Sequence, residues 1–168
     1  MKNIILCGFM GCGKSTIGRI VSKKTGMEFI DMDRYIELKT GLSVKEIFER
    51  FGEDEFRRLE REACRELSDR DNLIIAAGGG TLTFDENIEV LSKTGRIVFI
   101  DVCLNQLCDR LKNDKKRPLL QVENRNERIR ELLEVRRPIY KRASTIEVDG
   151  NFNSSVVAGY VIGILSPR

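Results

Sequence analysis

Gly8-Phe9-Met10-Gly11-Cys12-Gly13-Lys14-Ser15 is the stretch on which the fold turns. It fits G-x-x-x-x-G-K-[ST] in full. It lies between an apolar run, Lys2 to Cys7, and a segment from Thr16 to Thr25 whose Ile17, Ile20 and Val21 fall at helical spacing. Strand, glycine loop and helix in that order make a cradle for phosphate. Glycines let the backbone curl so that successive N–H groups face phosphate oxygens, and the helix adds its positive end. Gly11, Cys12, Gly13, Lys14, Ser15 and Thr16 are the expected ATP-binding residues, with Lys14 reaching the β- and γ-phosphates and the Ser15 hydroxyl ligating Mg²⁺. The loop by itself establishes nucleotide binding, which a GTPase switch, an ATPase motor and a small-molecule kinase share. The chain has no Asn-Lys-x-Asp stretch for guanine, and 168 residues are few for a motor with coupling domains. A small kinase remains.

Outward from the loop, strands and helices alternate. Met27 to Ile30 reads as a second strand, ended by Asp31-Met32-Asp33. Ser43 to Glu46 has the form of a capping box, opening a helix with Val44, Ile47, Phe48 and Phe51 on one face. Gly52 interrupts it, and Leu59, Ala63 and Leu67 continue a second helix. Leu73 to Ala77, followed by Gly78-Gly79-Gly80, reads as a strand buried on both faces. Thr83 to Glu86 is a second capping-box pattern, for a helix ended by Thr94-Gly95. Ile97 to Ile100 is a fourth strand, Leu104 to Leu111 a helix, and Ile146 to Val148 a fifth strand before a final helix. The alternation predicts a parallel sheet covered on both faces by right-handed crossovers. Asn113 to Arg125 is too polar for a core element and reads as a mobile loop.

Composition sets the outer bounds. A length of 168 residues, 41% hydrophobic and 33% charged, suits one compact domain. No apolar run approaches the roughly 20 residues of a bilayer-spanning helix, and the start lacks a signal-peptide layout, so a cytoplasmic location is expected. The five cysteines are scattered without Cys-x-x-Cys spacing, which argues against a disulfide framework or a zinc site. They read as small core hydrophobes, apart from Cys12, which is expected to be exposed in the loop and thiol-sensitive. Residues 110 to 142 hold twelve Lys/Arg against five Asp/Glu, so the positive charge is concentrated there. Only Tyr140 among them is aromatic, which disfavours a nucleic-acid surface. Histidine is absent, so proton transfer falls to a carboxylate, lysine, tyrosine, cysteine or water.

In a parallel sheet ligands bind beyond the carboxyl ends of the strands, where the phosphate loop, Asp31-Met32-Asp33 and Gly78-Gly79-Gly80 all fall. Asp33 alone could instead cap a helix starting at Arg34. With these segments the chain resembles the shikimate kinase family over residues 1 to about 142. The resemblance rests on Gly8 to Gly18, Asp31-Met32-Asp33, Gly52-Glu53-Asp54-Glu55-Phe56-Arg57, Gly78-Gly79-Gly80, Arg117-Pro118-Leu119-Leu120 and Arg136-Arg137-Pro138-Ile139-Tyr140. The phosphate loop is generic to a superfamily, whereas the set in this order is specific.

The resemblance implies an α/β fold of the P-loop NTPase type, three layers with a five-stranded parallel sheet, similar to nucleoside monophosphate kinases. It implies a substrate-binding helical region, about 31–61, after the second strand and a lid, about 112–125, after the fourth helix. Asp33 would hold shikimate hydroxyls as the candidate base, and Asp31 would assist the magnesium shell. Arg57 and Arg136 would bind the substrate carboxylate with the backbone of Gly78, Gly79 and Gly80. Arg117 would come from the lid onto the phosphates, and Arg110 would lie against adenine. Paired guanidinium groups do suit an anionic acceptor, because each matches a carboxylate with two parallel hydrogen bonds. The bland alternatives are an ion pair of Arg57 with Glu53 or Glu60, a solvated basic helix face at Arg136-Arg137, and an ordinary loop at 112–125. The implied activity is ATP-dependent phosphorylation of shikimate by a monomer. A gluconate-type or nucleoside monophosphate kinase, or a regulatory protein that binds nucleotide without turnover, is the competing expectation. Beyond Tyr140 the resemblance thins, leaving the region around Asn151 to Ser154 unassigned.

Overall fold

The computed structural model describes residues 2–115 and 117–165. Five strands, β1 (Asn3–Cys7), β2 (Glu28–Asp31), β3 (Leu73–Ala76), β4 (Gly95–Asp101) and β5 (Ile146–Asp149), form one parallel sheet in the order β2-β3-β1-β4-β5. Between and after them lie α1 (Lys14–Thr25), α2 (Met32–Thr40), α3 (Val44–Ser68), α4 (Asp85–Thr94), α5 (Leu104–Leu111), α6 (Arg125–Ala143) and α7 (Ser154–Leu165). Ile5, Leu6, Ile74, Ile75, Ile97 and Val98 are completely buried, as strands covered on both faces must be. Helices pair as they cover the sheet, α1 with α7, α3 with α4 and α5 with α6. The α/β fold expected from the alternation is therefore present. Among the described residues no helix is long and apolar enough to cross a membrane.

Local signals explain most boundaries. Ser43 accepts a hydrogen bond from the Glu46 N–H, and the Glu46 carboxylate answers the Ser43 N–H at 2.8 Å, so the first capping box is formed. Gly52, at φ 83° and ψ 176°, breaks α3 where the sequence placed an interruption. The second capping box does not form. The Thr83 hydroxyl bonds back to the Gly80 carbonyl at 2.6 Å, and α4 begins at Asp85 without a side-chain cap. The apolar face of the first half of α3 is also narrower than its spacing implied: Ile47 is buried, but Phe51 is 59% exposed.

Two further expectations change. The segment 112–125 follows the fifth helix, because the insertion after β2 folds as two helices, α2 and α3. It also carries internal structure, a 3-10 turn over Pro118–Leu120 with Leu120 buried. Arg125 fastens its base, donating to the carbonyls of Leu111 (2.8 Å), Lys112 (2.6 Å) and Leu120 (3.0 Å). Of the cysteines, Cys7, Cys12 and Cys64 are buried whereas Cys103 is exposed, so the loop thiol and the core thiols are not sorted as the sequence suggested.

One buried amide joins the two central strands to the end of α3. Asn3, wholly inaccessible, donates to the Arg70 carbonyl at 2.7 Å and accepts from the Leu73 N–H at 2.9 Å. Asn3→Ala leaves both partners unsatisfied, and the expected cost is about 2 kcal/mol. Denaturant titration should show a lower midpoint with an unchanged slope, and the melting temperature should fall by about 5 °C.

Candidate active site

Parallel register aligns the strand ends. Asp31 at the end of β2 stands opposite Ala76 on β3, and Ala76 opposite Leu6 on β1. Beyond those ends lies an open cavity of about 350 Å³. Its lining includes Gly11, Gly13, Lys14, Ser15 and Thr16 from the loop, Asp31 and Asp33 from the second strand end, Gly78 and Gly79 from the third, and Arg117 from the distant 112–125 segment. Cys12, Arg110, Gly80, Arg57 and Arg136 are not on that lining. The last two stand behind the glycine turn.

The loop has the backbone its sequence requires. Gly8, Gly11 and Gly13 have φ of 147°, 78° and 97°, values that favour glycine. Lys14 lies across its own loop, donating to the carbonyls of Gly8 (2.7 Å) and Phe9 (3.3 Å), with its Nζ 3.6 Å from Cys12 Sγ. Cys12 is therefore buried inside the loop's curve, contrary to the exposed thiol expected, because its sulfur fills the space beside Gly8.

Asp31 and Asp33 divide the second strand end between them. Asp31 is the N-cap of α2, accepting from the Arg34 N–H at 3.3 Å, and its other oxygen accepts from the Ser15 hydroxyl at 2.6 Å. The cap alternative thus falls to Asp31, and Asp33 is left to face the cavity. Crowding by protein raises the Asp33 carboxyl to about 6, helped by the like charges of Asp31 and Glu60 and opposed by Lys14.

Arg57 does both things the sequence left open. Its guanidinium reaches Glu53 at 3.0 Å and Glu60 at 2.5 Å. It also lies so close to the glycine turn that a Cβ on Gly80 would stand 2.5 Å from Nη1. Phe56 and Phe84 flank it at 5.5 and 5.7 Å. Glu60 is a site residue that sequence reasoning treated only as an ion-pair partner. It is 1% exposed, accepts from the Thr81 hydroxyl at 2.7 Å, and holds Arg57 against the turn. Its only sequence signal is the three-residue spacing from Arg57. Arg136 approaches the same turn from α6, with Nη1 3.3 Å from where a Gly79 Cβ would stand. The neighbouring Arg137 is bound to Asp101 at 2.5 Å. Pairs of this kind, with Arg142–Asp85 and Lys141–Glu147, offset part of the basic segment's charge.

Arg117 borders the cavity, its guanidinium paired with Asp114, which also accepts from the Arg117 N–H at 3.0 Å. Arg110 bridges the outer curve of the loop to the residue that follows β5, donating to the carbonyls of Gly11 (3.3 Å), Cys12 (3.4 Å) and Gly150 (3.2 Å). This places the unassigned segment after β5 beside the loop, where Asn151 also accepts from the Cys103 N–H at 2.9 Å.

With phosphate loop, paired carboxylates and two arginines behind a glycine turn all at one sheet edge, comparison with known proteins decides the family. The shikimate kinase family model matches residues 10–165. The chain belongs to the shikimate kinase family. It is 46% identical over 151 residues to the shikimate kinase of Thermodesulfovibrio yellowstonii, covering 89% of this chain and 87% of the relative. Among solved structures it resembles the Acinetobacter baumannii shikimate kinase in complex with shikimate, with a TM-score of 0.92, 37% identity, and 98% and 93% of the two chains covered. A gluconokinase from Sinorhizobium meliloti, at 15% identity and a TM-score of 0.62, shares the fold. The chain is thus a phosphotransferase of the P-loop kinase type.

The raised Asp33 carboxyl has two measurable consequences. If Asp33 works as a base, kcat/KM should fall as pH drops through about 6, well above the ordinary aspartate value of 3.8. A folded-state value above the unfolded one means the native protein binds the proton more tightly, so stability declines as pH rises from about 4 to 6 and the penalty persists above. Asp33→Asn should therefore lose turnover yet melt at pH 7.5 no lower than the parent protein.

Proposed function

We propose that the protein transfers the γ-phosphoryl group of ATP to the 3-hydroxyl of shikimate, giving shikimate 3-phosphate and ADP, in the synthesis of chorismate and the aromatic amino acids. The observation that carries this assignment is the cavity itself. It joins Lys14 and Ser15 to Asp33 and to a glycine turn backed by Arg57 and Arg136. A phosphate cradle at one end and two guanidinium groups at the other suit a small hydroxylated carboxylate lying between them.

The work divides by chemistry. The loop N–H groups and Lys14 hold the β- and γ-phosphates, for which Lys14 leaves the carbonyls of Gly8 and Phe9. Thr16 adds its N–H at the start of α1, and Arg110 sits at the adenine end. Arg57, Arg136 and the turn grip the acceptor carboxylate. Asp33 orients the attacking hydroxyl and takes its proton, a role its raised carboxyl suits. Arg117 exchanges Asp114 for the transferring phosphate as the lid closes, so that charge developing on the phosphoryl oxygens meets a cation.

Mg²⁺ fits the residues present. Ser15 Oγ and the Asp31 carboxylate lie 2.6 Å apart at the cavity wall, two hard oxygen donors beside the phosphate cradle. Such a pair suits a small cation that keeps several waters and takes its other ligands from phosphates. When bound, it would neutralise phosphate charge. We assign the protein a monomeric, cytoplasmic role as one kinase domain, with ATP and shikimate as its partners and no nucleic acid or membrane.

Coupled measurement of ADP release with shikimate, gluconate and nucleoside monophosphates tests the acceptor directly. Turnover with another acceptor and none with shikimate removes the assignment. Arg57→Ala should raise the KM for shikimate about a hundredfold, since a charge-assisted pair contributes roughly 3 kcal/mol, and leave that for ATP almost unchanged. Arg117→Ala should lower kcat far more than it weakens substrate binding, and Lys14→Met should remove most turnover from a folded protein. The reverse pattern for Arg117, weak binding with normal kcat, would make it a binding residue.

A further inference from the structure

Gly78, Gly79, Gly80 and Thr81 form a β-turn, closed by the Thr81 N–H donating to the Gly78 carbonyl at 3.2 Å. Gly80 has φ −102° and ψ −6°, the third-position values of a type I turn. A type II turn differs chiefly by rotation of the central peptide through about half a circle, which requires positive φ at that third position. For most residues this is prohibitive. With glycine on both sides of the peptide the two turns are nearly equal in backbone energy. The Gly79–Gly80 peptide therefore needs an outside contact to decide which way it faces.

Tyr140 supplies that contact. It is 1% exposed, packs its ring 5.6 Å from that of Phe99, and donates its hydroxyl to the Gly79 carbonyl at 2.6 Å. Burial raises the tyrosine hydroxyl's pKa, so it remains a donor across the neutral range. A trans peptide points its N–H opposite to its C=O. With the Gly79 carbonyl held by Tyr140, the Gly80 N–H is turned to the other side of the turn. Among the described residues that N–H has no acceptor, although Gly80 is buried. A buried, unpaired backbone donor points to a ligand. Arg57 and Arg136 meet the same two glycines.

We propose that Tyr140 is a positioning residue that locks the Gly79–Gly80 peptide in its type I orientation, holding the Gly80 N–H as a donor for the acceptor's carboxylate. The choice of carboxylate rests on the function proposed above. The lock itself rests only on the turn and its hydrogen bonds.

Tyr140→Phe removes one oxygen and keeps the ring. Its KM for shikimate should rise about tenfold, the loss of one hydrogen bond to a charged group, with kcat and the KM for ATP within about twofold of the parent. With an acceptor whose carboxylate is replaced by a hydroxymethyl group, parent and variant should give the same KM. Equal losses with both acceptors, or none with shikimate, overturn the proposal. An acceptor-free readout separates the lock from the substrate assignment. The Gly80 amide should give one sharp NMR resonance in the parent protein and a broadened or doubled one in Tyr140→Phe, because both peptide orientations become populated. An unchanged single resonance in the variant overturns the lock even where shikimate turnover is normal. A parent protein without shikimate turnover fails the substrate assignment and leaves this resonance to judge the lock. Should the variant not fold, titration of the parent with shikimate decides: a downfield shift of the Gly80 amide proton supports the donor role, and none overturns it.

Discussion

The parallel register of β2, β3 and β1 is the constraint from which the site arises. Because Asp31, Ala76 and Leu6 stand in one row across three strands, the segments leaving those strand ends must emerge together. A glycine loop leaves β1, a carboxylate pair stands where β2 passes into α2 and a glycine turn leaves β3. A slip of one residue in either ladder would move the Ser15–Asp31 bond, 2.6 Å long, out of reach. The strands resist such a slip because their apolar residues are buried on both faces and Asn3 ties the entry of β3 to β1.

Three of the cations expected to meet substrate already have protein partners. Lys14 is held by two loop carbonyls, Arg57 by Glu53 and Glu60, and Arg117 by Asp114. An unpaired charge in a partly closed cavity would cost more than these contacts. The partners differ in what they allow. Glu60 is buried and bonded to Thr81, so Arg57 keeps this partner and presents its remaining donors from a fixed position. Asp114 sits on the same segment as Arg117, three residues away, and can move with it. Fixed pairing suits recognition, and pairing within one segment suits the partner exchange proposed for Arg117.

Much of this was legible in the sequence, for identifiable reasons. The phosphate loop, α5 and the break at Gly52 were read correctly because each depends on a few adjacent residues with strong local preferences. Failures occurred where a distant group competed for a local signal. Thr83 has the right spacing for a capping box, but the Gly80 carbonyl takes its hydroxyl. Cys12 belongs to a loop, but the loop curls around it. Glu60 looks like one member of an exposed helix pair, and only the packing of α3 against the turn that carries Thr81 buries it. Helix α6 is legible only as a basic helix face at Arg136-Arg137, without bounds, because its basic residues and Pro138 hide the apolar spacing of Ile129, Leu133 and Tyr140.

Triple glycine shows how a permissive sequence acquires a definite geometry. At each of the three a side chain would meet a neighbour: a Cβ at Gly78 would stand 2.9 Å from Glu60 Oε1 and from Thr81 Oγ1, any Cβ at Gly80 collides with Arg57, and one at Gly79 presses on Arg136. Lacking side chains, the turn also lacks a backbone preference of its own, so it is well defined only to the degree that its surroundings enforce it. The enforcement comes from three separate elements. Glu60 and Arg57 on α3 set one wall, Thr83 fastens the Gly80 carbonyl at 2.6 Å, and Tyr140 on α6 fastens the Gly79 carbonyl at the same distance. Helix α6 comes directly after the 112–125 segment, whose base Arg125 fastens, so Tyr140 and Arg136 tie the turn to the same helix that this segment leads into.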